Sequence, residues 1–147
     1  MGARRMDEPV SSGPGAYVLL IELGAPLALE TASLARAVLP AGRYAYCGSA
    51  YGPGGLKARI SRHLRQDKAQ RWHVDHLTAA GRIVALRAVP GGRECELLDR
   101  LLAAPGTSVP LPGFGSSDCR RCPAHLVALP EGFDPRGLAA ALSAAAV

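Results

Sequence analysis

Apolar positions fall into short blocks whose period changes along the chain. Residues 17–23 (YVLLIEL) form an almost unbroken apolar run rich in strand formers, which predicts a strand buried on both faces. Pro26 interrupts the run, and residues 27–30 are expected to pair back as a second strand. Residues 34–39 are apolar and alanine-rich and predict a helical turn that Pro40 stops. Residues 43–48 read as the next strand, with Tyr44 and Tyr46 on one face because side chains alternate. Four glycines and a proline between Gly48 and Gly55 predict a tight connection with backbone amides free to meet an anion. The period then changes. Leu56, Ile60 and Leu64 recur every four residues, the apolar stripe of a helix starting near Gly55. Arg59 and His63 share a face beside that stripe, placed to look into a cleft, while Arg62 and Arg65 point outward as surface charge.

A second helix is expected from residue 72 and a strand over 82–89, ended by Pro90-Gly91-Gly92. Residues 94–104 read as a helix with Leu97, Leu98, Leu101 and Leu102 inward, which puts Glu94 within the buried stripe and Glu96 on the far side. A polar, glycine-rich loop over 113–119, a strand over 125–129 and an alanine-rich terminal helix over 135–147 complete the reading. There is no internal repeat.

At 147 residues the chain suits one core. The reading is a flexible lead-in over 1–13 and a single domain over 14–147. No apolar run approaches the ~20 residues of a membrane span. The two early arginines have no apolar segment behind them, so no secretory signal is read and a cytoplasmic setting is expected. Seventeen Lys and Arg against 12 acidic residues favour a polyanionic partner. The placement says more: Lys57, Arg59, Arg62, Arg65, Lys68 and Arg71 crowd one segment with Asp67 as its only acid. This is either a cationic docking surface or a solvated helix face. The four cysteines, Cys47, Cys95, Cys119 and Cys122, are expected as reduced thiols or metal ligands.

Two features carry candidate chemistry of their own. A carboxylate on the apolar side of a helix, as at Glu94, is costly unless paired or metal-bound. The plainer alternative is a first-turn glutamate favoured by the helix dipole. Cys119-x-x-Cys122-x-x-His125 has spacing compatible with Zn²⁺, with Cys95, His73 or His76 as a fourth ligand. The preferred alternative there is thiols and a buried histidine packing a loop.

Gly15-Ala16-Tyr17 and Tyr46-Cys47-Gly48, in this order on two strands and followed by Arg59-x-x-x-His63, resemble the paired signature of the GIY-YIG nuclease superfamily. The central residues depart from the pattern, being Ala16 and Cys47 rather than isoleucines. GAYVLLIEL, YAYCGSA, GLKARISRHLR, RWHVDHL, RECELL and GFGSSDCRRCPAHLV extend the likeness over most of the chain, to a branch of small stand-alone domains in archaea and bacteria. The resemblance implies an α+β fold, a small antiparallel β-sheet flanked by helices. It also implies a metal-dependent endonuclease acting on DNA. By analogy Tyr17 helps activate water, Tyr46 positions the nucleophile, Arg59 clamps the scissile phosphate and His63 assists proton transfer. Glu94 would hold one Mg²⁺ or Mn²⁺. Lys57, Arg62, Arg65, His73 and Ser117 are the expected substrate contacts. His73 and Asp75 either extend the site or belong to a helix anchored by Trp72. Residues 113–118 either line the cleft or cap a helix through Ser117 or Asp118. A different class stays open beside the enzyme: a nucleic-acid-binding or adaptor module on the same scaffold, or a zinc-stabilised interaction domain.

Overall fold

The computed structural model describes residues 12–29, 37–65, 73–112, 114 and 124–138. Within these, the fold is α+β. Strand β1 is Gly15–Leu23, β2 Leu27–Leu29, β3 Ala37–Leu39 and β4 Gly42–Ala50. Helices α1 (Gly55–Leu64) and α2 (His73–Ala80) follow, then β5 (Arg82–Pro90), α3 (Glu94–Leu102), β6 (Leu126–Ala128) and a single 3₁₀ turn, Pro135–Gly137. The main sheet has the order β5-β1-β4-β6 and is antiparallel throughout.

β1 is buried because it lies between two long neighbours and is covered on both faces. It pairs with β4 from Gly15 opposite Ala50 to Leu23 opposite Gly42, and with β5 from Gly15 opposite Pro90 to Glu22 opposite Arg82. Alternation then sorts its side chains into two layers. Tyr17, Leu19 and Ile21 join Tyr44, Tyr46, Leu56, Ile60, Val74 and Leu77, so α1 and α2 cover that face. Ala16, Val18 and Leu20 join Ala45, Cys47, Leu97, Leu98 and Leu101, so α3 covers the other. The continuous apolar run is thus two alternating stripes, each with its own helical cover.

Two expectations need correction. β2 does not return to β1; it pairs with β3, Leu27 opposite Leu39, as a separate two-stranded sheet. Ala37, Val38 and Leu39 are therefore a strand and not a helical turn, because the neighbouring strand outweighs alanine's helix preference. The lead-in is docked by its last residues: Leu56 donates from its amide to the Gly13 carbonyl at 2.9 Å, and Gly91 to that of Pro14 at 3.0 Å. At Gly55, with φ of +60°, a Cβ would collide with the Ser12 and Gly13 carbonyls, so the glycine lets the lead-in approach. The expected terminal helix falls mostly outside the described residues. No helix among those described is long and apolar enough to cross a membrane.

Candidate functional site

Period two puts Tyr17 of β1 and Tyr46 of β4 on the α1 side of the sheet, one step apart in register. Tyr17 faces Gly48, and Tyr46 faces Leu19. Helical spacing brings Arg59 and His63 of α1 over the same spot. The Tyr17 hydroxyl and His63 Nε2 are hydrogen-bonded at 2.7 Å, and Arg59 also hydrogen-bonds the Tyr17 phenol. The rings of Tyr17, Tyr46 and His63 form a triangle, with centroids 6.4 Å (Tyr17–Tyr46), 5.4 Å (Tyr17–His63) and 6.0 Å (Tyr46–His63) apart. His63 is fully buried, not merely beside the apolar stripe, while Arg59 is half-buried.

The two outer glycines of the tripeptides have separate steric causes. A Cβ at Gly48 would overlap the Tyr17 ring, and one at Gly15 would lie 2.5 Å from the Val89 carbonyl oxygen. Gly48 is thus the floor on which Tyr17 lies, and Gly15 lets β5 close on β1. Gly48→Ala is expected to lower stability by about 1–3 kcal/mol through this overpacking and to displace the phenol from His63. A thermal melt alongside a nucleic-acid cleavage assay checks both effects.

Burial dominates the electrostatics. It drives Tyr17 well above the ordinary phenol range; the neighbouring Tyr46 adds to this and Arg59 opposes it. Burial raises Tyr46 as well, with the Glu94 charge adding to it. Tyr44 is raised by burial alone. In the unfolded chain these phenols ionise near pH ~10, whereas in the fold they stay protonated above it. The unfolded state then binds fewer protons, so stability is unaffected below that pH and falls as pH rises beyond it. Phenolate absorbance of the buried tyrosines should therefore appear only together with loss of circular dichroism in an alkaline titration.

Glu94 belongs to the other layer. It opens α3, which packs on the opposite face of the sheet, and it sits at the end where Gly15, Ala50 and Pro90 meet. From there its charge acts on both phenols. Its side chain is half-buried while Glu96 is exposed, as the helical wheel predicts. One carboxylate oxygen lies 3.7 Å from His125 Nδ1. Glu94 also lines a cavity of about 410 Å³ with Ser49, Tyr51, Arg93 and Cys95. A half-buried oxygen donor facing open space suits Mg²⁺, which keeps several waters and takes one or two carboxylates plus substrate oxygens.

Several expected contacts lie elsewhere. Arg62 does not point outward as surface charge: its guanidinium donates to both oxygens of the fully buried Asp75, at 2.8 and 2.9 Å, tying α1 to α2. Lys57 is exposed on α1, and Arg65 is exposed just past its C-terminal end. The Gly55 and Leu56 amides at the start of α1 are not free for an anion, since they donate to the Gly52 and Gly13 carbonyls. His73 starts α2, but its side chain lies outside the described residues, as do Ser117, Cys119 and Cys122.

Among the described residues no group of three or more His, Cys, Asp or Glu could hold a metal. Cys95 is disulfide-bonded, where a reduced thiol or a metal ligand was expected. Its sulfur lies 4.0 Å from Nε2 of His125, which is buried. Cys47 is a free, buried thiol, pushed upward chiefly by burial. Sequence reasoning missed Tyr51, which is exposed at the cavity rim and donates to the Gly92 carbonyl at 2.8 Å. An aromatic one step beyond a buried strand was the available signal.

No curated protein and no solved structure matches the chain. The family model described as Domain of unknown function DUF123 matches residues 16–145, nearly the whole chain around this site, and the protein belongs to that family.

Proposed function

We propose that this protein is a metal-dependent endonuclease of the GIY-YIG kind that hydrolyses phosphodiester bonds in DNA. The observation that carries the reading is the 2.7 Å hydrogen bond between the Tyr17 hydroxyl and His63 Nε2, with Arg59 on the same phenol. A neutral phenol cannot take a proton from water unless it gives up its own. His63 Nε2 stands where it can accept that proton as water transfers one to the Tyr17 oxygen. The water oxygen then attacks phosphorus, and the ester oxygen on the far side leaves and takes a proton from solvent water. Arg59 offsets negative charge on the phenol oxygen and on the phosphate beside it. Glu94 would hold one Mg²⁺ or Mn²⁺. A divalent cation bound there supplies charge neutralisation at the phosphate and a more acidic water. Exposed Lys57 on α1, Arg65 just past its end and Arg93 before α3 add attraction for the phosphate backbone.

The second reading, a binding module without turnover, is favoured by one observation: burial pushes the Tyr17 and Tyr46 phenols further from the ionised form that would take a proton from water. Duplex, branched and flapped DNA incubated with the full chain and Mg²⁺ or Mn²⁺ separates the two. The nuclease reading expects chain scission that chelation stops. Retarded complexes without products on every substrate would establish the module instead.

A further inference from the structure

We infer that Tyr51 is a stacking platform for an unpaired nucleobase next to the scissile phosphate, so that the substrate is nucleic acid with a single-stranded or splayed segment. The inference rests on the reading that this site binds nucleic acid, and it adds the structural class of the substrate.

Tyr51 and Val38 are the large hydrophobic side chains exposed among the described residues, each at 56%. Val38 lies on the small β2–β3 sheet, away from the site. Tyr51 lies on the rim of the 410 Å³ cavity that Glu94 lines. Leaving an aromatic ring in water gains nothing for the fold, yet this ring is held in place. Its hydroxyl donates to the Gly92 carbonyl at 2.8 Å. That bond spans from the turn after β4 to the turn before α3, so the ring cannot swing freely.

The surroundings match one nucleotide. The cavity falls within the ~300–1,000 Å³ typical of small-ligand sites. Arg93, exposed on the same rim, provides a cation for a flanking phosphate. On the turn side, a Cβ at Gly52 would lie 3.8 Å from Arg59 Nη2, so the residue after Tyr51 borders the guanidinium assigned to the scissile phosphate. A base in a duplex has both faces covered by its neighbours. It reaches an aromatic ring only when unpaired, at an end or splayed out. Stacking of this kind tolerates any base, because each has a π-face.

The test measures binding in the presence of EDTA, where scission does not interfere. Hairpins carry either a single-stranded flap or a fully paired arm of the same length, with one 2-aminopurine in the flap. The full chain should bind the flap more tightly than the paired hairpin and quench 2-aminopurine. Tyr51→Ala should weaken flap binding by about tenfold and remove the quench, with paired binding unchanged. Tyr51→Phe, which keeps the ring, should retain most of both. An abasic site at the stacked flap position should reproduce the loss with unaltered protein. Equal affinity for flap and paired hairpins, or flap binding unchanged in Tyr51→Ala, would overturn the platform. Cleavage in Mg²⁺ with Tyr51 indifferent would leave the nuclease standing and sink the platform. Quenching without cleavage would do the reverse.

Discussion

Glu94→Gln should abolish divalent-cation-dependent cleavage while leaving the fold in place. A metal that neutralises phosphate charge contributes several kcal/mol to the transition state, and each 1.36 kcal/mol is about tenfold in rate. Loss of the ion's carboxylate ligand therefore predicts a fall of about three orders of magnitude or more. The structural cost is far smaller. Glu94 is a first-turn carboxylate of α3, partly open to solvent, so removing its charge forfeits a helix-dipole contribution of about 0.3–1 kcal/mol. Its other neighbour, His125 Nδ1 at 3.7 Å, is too distant for a strong hydrogen bond. Single-turnover cleavage and a thermal melt on the same preparation check the two halves. Full activity in the glutamine variant would remove Glu94 from the site. A large drop in melting temperature would instead make it a structural residue.

That four of the five expected site residues meet was legible because short-range periods alone decide it. Tyr17 and Tyr46 lie on strands that alternate, and Arg59 and His63 lie four apart on a helix. Each therefore had one side to face once β1 and β4 paired. The fifth was half legible. The wheel placed Glu94 on the apolar side of α3, but a wheel does not say which face of the sheet the helix covers. α3 covers the face away from the phenols, and Glu94 approaches round the sheet end. β2 was read as a strand, but its partner could not be: β3 has three residues, too few to show a period, and partner choice is tertiary. The long strands were found, yet β4 runs to Ala50 because its pairing with Gly15 of β1 continues that far. Arg62 was misplaced for the same kind of reason. A position off the apolar stripe faces outward only if no second helix packs there.

Arg62→Met should be among the most destabilising changes to a side chain that is not fully buried. Asp75 has no solvent exposure, and the guanidinium meets it with two short, parallel hydrogen bonds. Asp75 also holds Arg62 in its charged form, raising its already high pKa through the hydrogen bonds first. Removing the cation alone leaves a buried carboxylate without this compensation, which costs about 3–5 kcal/mol. For a chain of this size a loss of 3 kcal/mol corresponds to a fall in melting temperature of roughly 10 °C. Lys57→Met, five residues earlier on α1 and exposed, should stay within about 0.5 kcal/mol of the parent. The double variant Arg62→Met, Asp75→Leu should recover much of the loss, because an apolar pair of similar volume does not carry the desolvation cost of two ions. Chemical denaturation of the parent, Arg62→Met, Asp75→Leu and the double variant gives the coupling directly. A single variant no less stable than Lys57→Met would mean that the contact is a surface pair in solution. Because Arg62 adjoins His63 on α1, losing the tie to α2 is expected to loosen the helix that carries the imidazole. Cleavage by Arg62→Met at a temperature where it remains folded should then fall more than its folded fraction does.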